Sequence, residues 1–217
     1  MNTIIELEHI WADYGKRNVL KDISLTVAEH DFIGVIGPNG GGKTTLMKVL
    51  LGLMKPSQGI IKYAENGHAV EQLNIGYLPQ YAQIDKKFPI CVEEVILSGL
   101  SRKKSLLQRY TEKDMQRVQE VIRLLGLSGL EKQPIGQLSG GQLQRAFLGR
   151  ALVAEPTVIV LDEPNTYLDK EGEMQLYTLL QELNKKSAII LVSHDRTSVE
   201  RYAKRIIYVS ENLEIIK

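Results

Sequence analysis

Gly37-Pro38-Asn39-Gly40-Gly41-Gly42-Lys43-Thr44-Thr45 is the stretch whose reading decides the fold. It fits the phosphate-loop template G-x-x-x-x-G-K-[ST], with Gly37 and Gly42 as the outer glycines. Phe32 to Ile36, just before it, is a short apolar run of the kind a strand buried on both faces shows. Just after it, Leu46, Met47, Val49, Leu50 and Leu51 recur at helical spacing. Strand, glycine-rich loop and helix thus come in the order the motif needs. The glycines let backbone N–H groups curl around a polyphosphate, and the helix points its positive end at the same anion. Lys43 can reach the β- and γ-phosphates, and the Thr44 hydroxyl can take a place on Mg²⁺. A flexible glycine loop with a stray lysine is the plain alternative, and the flanking strand and helix argue against it. The expected ligand is a nucleoside triphosphate.

With 217 residues, the chain can form one α/β domain with a modest insertion. A formal net charge of +1 offers no electrostatic case for nucleic acid as a partner. The single cysteine, Cys91, excludes an intrachain disulfide framework and a cysteine-built metal site. His9, His30 and His68 are scattered, and none is taken for a metal ligand. No signal-peptide layout is visible near Met1, and no apolar run approaches the roughly 18 residues of a spanning helix. A cytoplasmic location is expected, with any role at a membrane coming through a partner.

Outward from the loop, Ile5 and Leu7 alternate with Glu6 and Glu8 as in a half-buried strand. Trp11 to Lys16 reads as a turn, followed by a second strand with Val19, Ile23, Leu25 and Val27 on one face. These two are expected to be antiparallel. Gly59 to Tyr63 reads as a strand and Ala64 to Leu73 as polar and irregular. Asn74 to Gln80 is a short strand ending in a proline-broken loop. From about Ile84 to Gln137 the pattern turns helical: Val92 to Gly99 is a short helix, and Ser101 to Arg109 is basic and irregular. A long helix opens at Thr111 with Asp114 as capping partner and stops at Gly126. The domain expected is therefore an α/β core with an antiparallel part (residues 1–83 and 138–217) carrying a helical subdomain (about 84–137). Two further apolar runs, Thr157 to Glu163 (ending in its two acids) and Ala188 to Val192, alternate with helices and indicate a parallel sheet covered on both faces. A short helix and a strand from Ile206 to Val209 close the pattern.

Asp162 and Glu163 end a buried strand, at the crevice where α/β proteins bind ligands. Beside a phosphate loop, Asp162 would hold the Mg²⁺ shell, and Glu163 would polarise the attacking water. An ordinary acidic turn is the alternative. Leu138-Ser139-Gly140-Gly141-Gln142 is locally a helix start, with Ser139 as N-cap and Gln142 completing the capping box. Capping does not call for Gly140 and Gly141, which suit close approach of a second polyanion to the helix end. Two γ-phosphate sites with one Lys43 suggest that two chains sandwich each ATP.

These motifs, in this order, resemble the ATP-binding subunit of an ABC transporter over nearly the whole chain, with the P-loop NTPase fold that family has. The resemblance implies that Tyr14 stacks on adenine and that Gln80 senses Mg²⁺ and the transmembrane partner. It makes Gly37 to Thr44 the Walker A loop, Leu138 to Gln142 the signature, and Asp162 with Glu163 the Walker B pair. It places Leu168 and Asp169 in the loop that crosses to the opposite subunit. His194, ending a second buried strand, becomes the switch residue contacting the γ-phosphate rather than a core histidine. Tyr167 departs from the pattern, since many members carry a small residue before Leu-Asp. Alternatives to stacking for Tyr14 are packing on the second strand, and for Lys86-Lys87 and Arg102-Lys103-Lys104 solvated faces or lipid headgroups.

Pro79-Gln80, Asp85, Phe88-Pro89-Ile90 and Val92 to Val95, with the Gly40 to Gly42 triplet and Asn165-Thr166-Tyr167, are similar to the ATPases of zinc, manganese and iron-chelate importers. The resemblance implies ATP hydrolysis by a homodimer that drives uptake of a divalent transition metal. Its partners would be integral-membrane permease subunits and an extracytoplasmic substrate-binding protein. The alternatives are another cargo (siderophore, drug or lipid) and a soluble, non-transport ABC ATPase.

Overall fold

The computed structural model describes residues 2–15, 17–80, 88–101 and 109–217. Ile84, Asp85, Lys86, Lys87 and Arg102-Lys103-Lys104 lie outside the described residues, and so does the start of the expected helical subdomain. Strands β1 (Thr3–Tyr14) and β2 (Arg17–Ala28) pair antiparallel, as expected. β1 runs through Trp11, Ala12 and Asp13, so these residues are strand and not turn. The alternation expected in β2 also breaks: Leu20 is buried and Val19 only half-buried. The cause is a change of register around His9 and Asp22, whose φ angles are 51° and 52°. An irregularity of this kind swaps which parity of residue faces inward. The buried set in β1 accordingly passes from Ile5 and Leu7 to Ile10 and Ala12.

β3 (Phe32–Ile36) leads into the glycine loop and α1 (Lys43–Leu50). β4 (Gln58–Glu65) returns to pair with β1, and β5 (His68–Val70) pairs with β4. The stretch expected to be irregular thus contains a hairpin. Its turn residues Asn66 and Gly67 both have positive φ, 53° and 78°, as an Asn-Gly type I′ turn requires. The antiparallel sheet has the order β2-β1-β4-β5.

β6 (Ile75–Leu78) precedes α2 (Val92–Ser98), α3 (Glu112–Leu124) and α4 (Gly140–Leu152). Thr111 and Asp114 form the expected capping box: the Thr111 N–H donates to Asp114 (2.6 Å) and the Asp114 N–H to Thr111 (3.3 Å). α2 packs on both α3 and α4, so the helical layer includes a helix that starts after Gln137. β7 (Val158–Asp162), α5 (Lys170–Leu183), β8 (Ala188–Val192), α6 (Arg196–Tyr202), β9 (Arg205–Ser210) and β10 (Asn212–Ile215) follow. β10, an antiparallel edge strand on β9, extends the sheet beyond the last strand expected.

The second sheet runs β10-β9-β3-β8-β7-β6, parallel from β9 to β6. Its two faces feed two cores. Ile159, Leu161, Ile189 and Leu191 pack toward α4, α5 and α6, and Val158, Val160, Ile190 and Val192 toward α1 and the antiparallel sheet. Each buried Val, Leu or Ile contributes about 1.5–3 kcal/mol. Strands clamped from both sides can therefore carry strained and charged residues at their C-terminal ends. No helix among the described residues is long and apolar enough to cross a membrane.

Candidate active site

Four adjacent strands, β3, β8, β7 and β6, release their C-terminal ends on one edge of the sheet. From them emerge, in order, Gly37, Ser193-His194, Glu163 and Pro79-Gln80. Lys43 opens α1 and is buried, its Nζ donating to the carbonyls of Gly37 and Pro38 at 2.9 Å each. Burial pulls its pKa down, opposed by the charges of Glu163 and Asp162. α1 has no side-chain N-cap bond and no acid in its first turn, which leaves its N-terminal N–H groups for an anion. Gly42 turns into the helix at φ 102°, and a Cβ there would lie 2.7 Å from Leu20 Cδ2. That glycine therefore serves the approach of β2 as well as the loop. Pro38, Asn39, Gly40 and Thr44 are exposed, and Thr45 is buried.

Asp162 is 4 % exposed. Burial and then the neighbouring Glu163 raise its pKa, against the opposing charges of Lys43 and His194. Glu163 takes φ 54°, a costly conformation for a residue with a side chain. Its N–H donates to Val192 O (2.9 Å), and its carbonyl accepts from Thr166 Oγ1 (2.9 Å). Its carboxylate Oε1 lies 2.5 Å from His194 Nε2. His194 is 48 % exposed on its side chain, so it is no core histidine. The structure thus brings Lys43, Asp162, Glu163 and His194 together.

Gln80 is exposed, two residues beyond Leu78, which pairs with Leu161 of β7. A cavity of about 180 Å³ beside it is lined by Pro79, Asp162, Glu163, Phe147 and Arg150. Tyr14 is 53 % exposed and stands against α1. Lys48 Nζ lies 5.7 Å from the Tyr14 ring centroid and donates to the hydroxyl at 3.3 Å. Ser139 and Gln142 make the expected capping box, Ser139 N–H to Gln142 Oε1 at 2.9 Å and Gln142 N–H to Ser139 Oγ at 3.2 Å. Ser139, Gly140 and Gly141 line a larger cavity, about 730 Å³, with Tyr167, Leu168 and Asp169, and no phosphate-loop residue joins them. A Cβ on Gly140 would sit 3.1 Å from Tyr167 Cβ, so this glycine also makes room for Tyr167. The sequence had suggested only an anion as the reason for it.

Gln144 escapes a sequence reading: it is buried in α4, and its amide donates to the Pro164 carbonyl directly after Glu163. Glu173 and Ser198 escape it too. Asp195 could have been found as a helix cap, since its carboxylate accepts the N–H groups of Thr197 (3.0 Å) and Ser198 (3.3 Å).

Residues 20–166 match the family model described as ABC transporter. A metal transport system ATP-binding protein of Chlamydia pneumoniae is 38% identical over 92% of this chain and 83% of its own length. A zinc uptake system ATP-binding protein of Listeria monocytogenes is 36% identical (98% and 85%), and a manganese transport system ATP-binding protein of Bacillus subtilis 38% (91% and 80%). Among solved structures, an inward-facing metal-chelate type ABC transporter superposes with a TM-score of 0.87 at 27% identity, covering 99% of this chain and 83% of that one. A dimeric bacterial ABC transporter cassette gives 0.81 at 26%, covering 99% of both. Likeness of this extent, in sequence and in fold, is common descent, and the chain belongs to the ABC transporter family as one of its ATP-binding cassettes.

Proposed function

We propose that the chain hydrolyses ATP to drive uptake of zinc or manganese through separate membrane subunits. The single observation that carries the hydrolytic part is the strained Glu163, its carboxylate 2.5 Å from His194 on the sheet edge that also holds Lys43. Lys43 and the backbone N–H groups of Asn39 to Thr45 bind the β- and γ-phosphates, and Tyr14 stacks its exposed face on the adenine. A cation suits Asp162, a buried carboxylate already crowded by Glu163. Asp162, Thr44 and Gln80 are the residues that would hold Mg²⁺, which when bound neutralises charge on the phosphate oxygens. Glu163 orients and polarises the attacking water, and His194 steadies that carboxylate and faces the γ-phosphate. Ser139, Gly140, Gly141 and Gln142 of a second copy close the site as a homodimeric sandwich.

The cargo rests on relatives whose names specify zinc, manganese and metal transport. Permease subunits dock the cassette on the cytoplasmic face of the membrane, and an extracytoplasmic protein delivers the ion. Phe88, 58 % exposed, is available for that contact. Ile90 packs on the core and its carbonyl accepts the Ile135 N–H (3.0 Å), so charge at Ile90 would test folding rather than docking. In a strain lacking this chain, wild-type protein is expected to restore growth under zinc or manganese chelation, and Glu163→Gln is not. The purified Glu163→Gln protein should bind MgATP, accumulate as an ATP-bound dimer and lose about 10²-fold or more of its turnover. Near-normal turnover removes the hydrolytic assignment; normal metal content in the deletion strain removes the cargo.

A further inference from the structure

The residues that flank the Glu163–His194 pair are tied to each other through a third element. Asn165, two residues past Glu163, donates its side-chain amide to Glu173 Oε1 on α5 at 3.1 Å. The same oxygen lies 3.2 Å from the Ser198 hydroxyl on α6. That hydroxyl also lies 2.5 Å from Oδ2 of Asp195, the residue after His194. All four side chains are half-buried, which strengthens these bonds relative to bonds in water. Ser198 has a single proton for two carboxylates and shares it between them in a three-centre bond, the shorter arm on Asp195 and the longer on Glu173. That hydroxyl is the first cause, ahead of the α6 N–H groups, that holds the Asp195 carboxyl below its ordinary value. Asp195 therefore stays charged and keeps its grip on α6 at neutral pH. The Asn165 amide remains the firm donor to Glu173.

α5 is well placed to act as the common anchor. Its start is pinned by Asp169, which accepts the Gly172 N–H at 2.8 Å. Its inner face carries Tyr177, fully buried and stacked on Tyr202 of α6 with ring centroids 4.3 Å apart. Burial, then the charges of Glu173 and Asp195, push the Tyr177 phenol up to about 12, so it stays neutral beneath the two acids.

We infer that Glu173 is a positioning residue: by holding Asn165 on one side and Ser198–Asp195 on the other, it sets the separation of the loops that carry Glu163 and His194. This rests on the hydrolytic reading of that pair. Misplacement by about an ångström at a reacting group can cost about 10²-fold. Glu173→Ala in the full chain should therefore lower kcat by about tenfold or more, with the ATP dissociation constant changed less than about twofold. Glu173→Gln keeps an acceptor oxygen at the same place and should restore most of the turnover. Because Glu173 acts through the pair, Glu173→Ala should cause little further loss in a His194→Ala background. If Glu173→Ala does not fold, as read by thermal unfolding, Ser198→Ala provides the same test with a smaller expected loss. An unchanged kcat, an equal loss of ATP affinity, no rescue by Gln, or full additivity with His194→Ala overturns the inference. If Glu163→Gln itself keeps its turnover, the fault lies in the hydrolytic reading; if it does not, the positioning role alone is at stake.

Discussion

Asp162 ends a strand buried at every position, and ionising it costs desolvation as well as repulsion from Glu163. Its folded pKa lies above the ordinary 3.8, so the folded chain binds this proton more readily than the unfolded chain does. Stability from this group is present below 3.8 and is lost as pH rises through the raised value. At neutral pH Asp162 therefore destabilises the nucleotide-free protein. Asp162→Asn, which cannot ionise, is expected to raise Tm there. The gain should shrink as pH falls toward 3.8. Thermal scans of both proteins across pH check this, and a lower Tm for the variant at neutral pH contradicts it. The placement of two acids after an apolar run marked the site in sequence. The positive φ of Glu163 had no sequence signal, because it arises where the chain leaves β7 to bond Val192 on a neighbouring strand.

Between elements, single polar side chains seal contacts that hydrophobic packing cannot direct. Asn184, the C-cap of α5, is buried, and its amide donates to the carbonyls of His30 (3.1 Å), Asp31 (2.8 Å) and Ser187 (3.1 Å). It thereby ties the end of α5 to the entry of β3, the strand that delivers the phosphate loop. Asn184→Ala leaves buried carbonyls without this donor and is expected to cost about 1–3 kcal/mol. Urea unfolding should show the midpoint moving down with the slope unchanged; an unmoved midpoint would mean that water replaces the amide. The capping boxes at Thr111 and Ser139 could be read in sequence because a cap involves residues three apart. The Asn66-Gly67 hairpin is equally local, but its second strand, β5, has only three residues, too few to show an alternation in sequence. The swap of parity near His9 and Asp22 had no local signal: it is a property of two strands paired across the chain.

In the whole molecule, the two glycine-rich helix starts do not share a cavity: Ser139, Gly140 and Gly141 line one that contains no residue of the phosphate loop. One chain with one Lys43 and two such ends calls for a head-to-tail pair. A Lys43→Ala chain and a Ser139→Arg chain are each expected to be inactive alone, and their mixture to regain turnover through the one composite site left intact. ATPase assays over a dilution series decide it: a dead mixture, or activity linear in concentration to high dilution, excludes the pair. By itself the sequence determined the phosphate loop, the capped helix starts, the buried strands and the acids that end them, since each depends on residues within one strand or one turn. Only the tertiary structure decided the order β3-β8-β7-β6, which sets His194 between the phosphate loop and Glu163. It also decided the α5 bridge from Asn165 to Ser198. Both arise from pairing between segments far apart in the chain, where many alternatives bury similar apolar area and leave no periodic trace in the residues themselves.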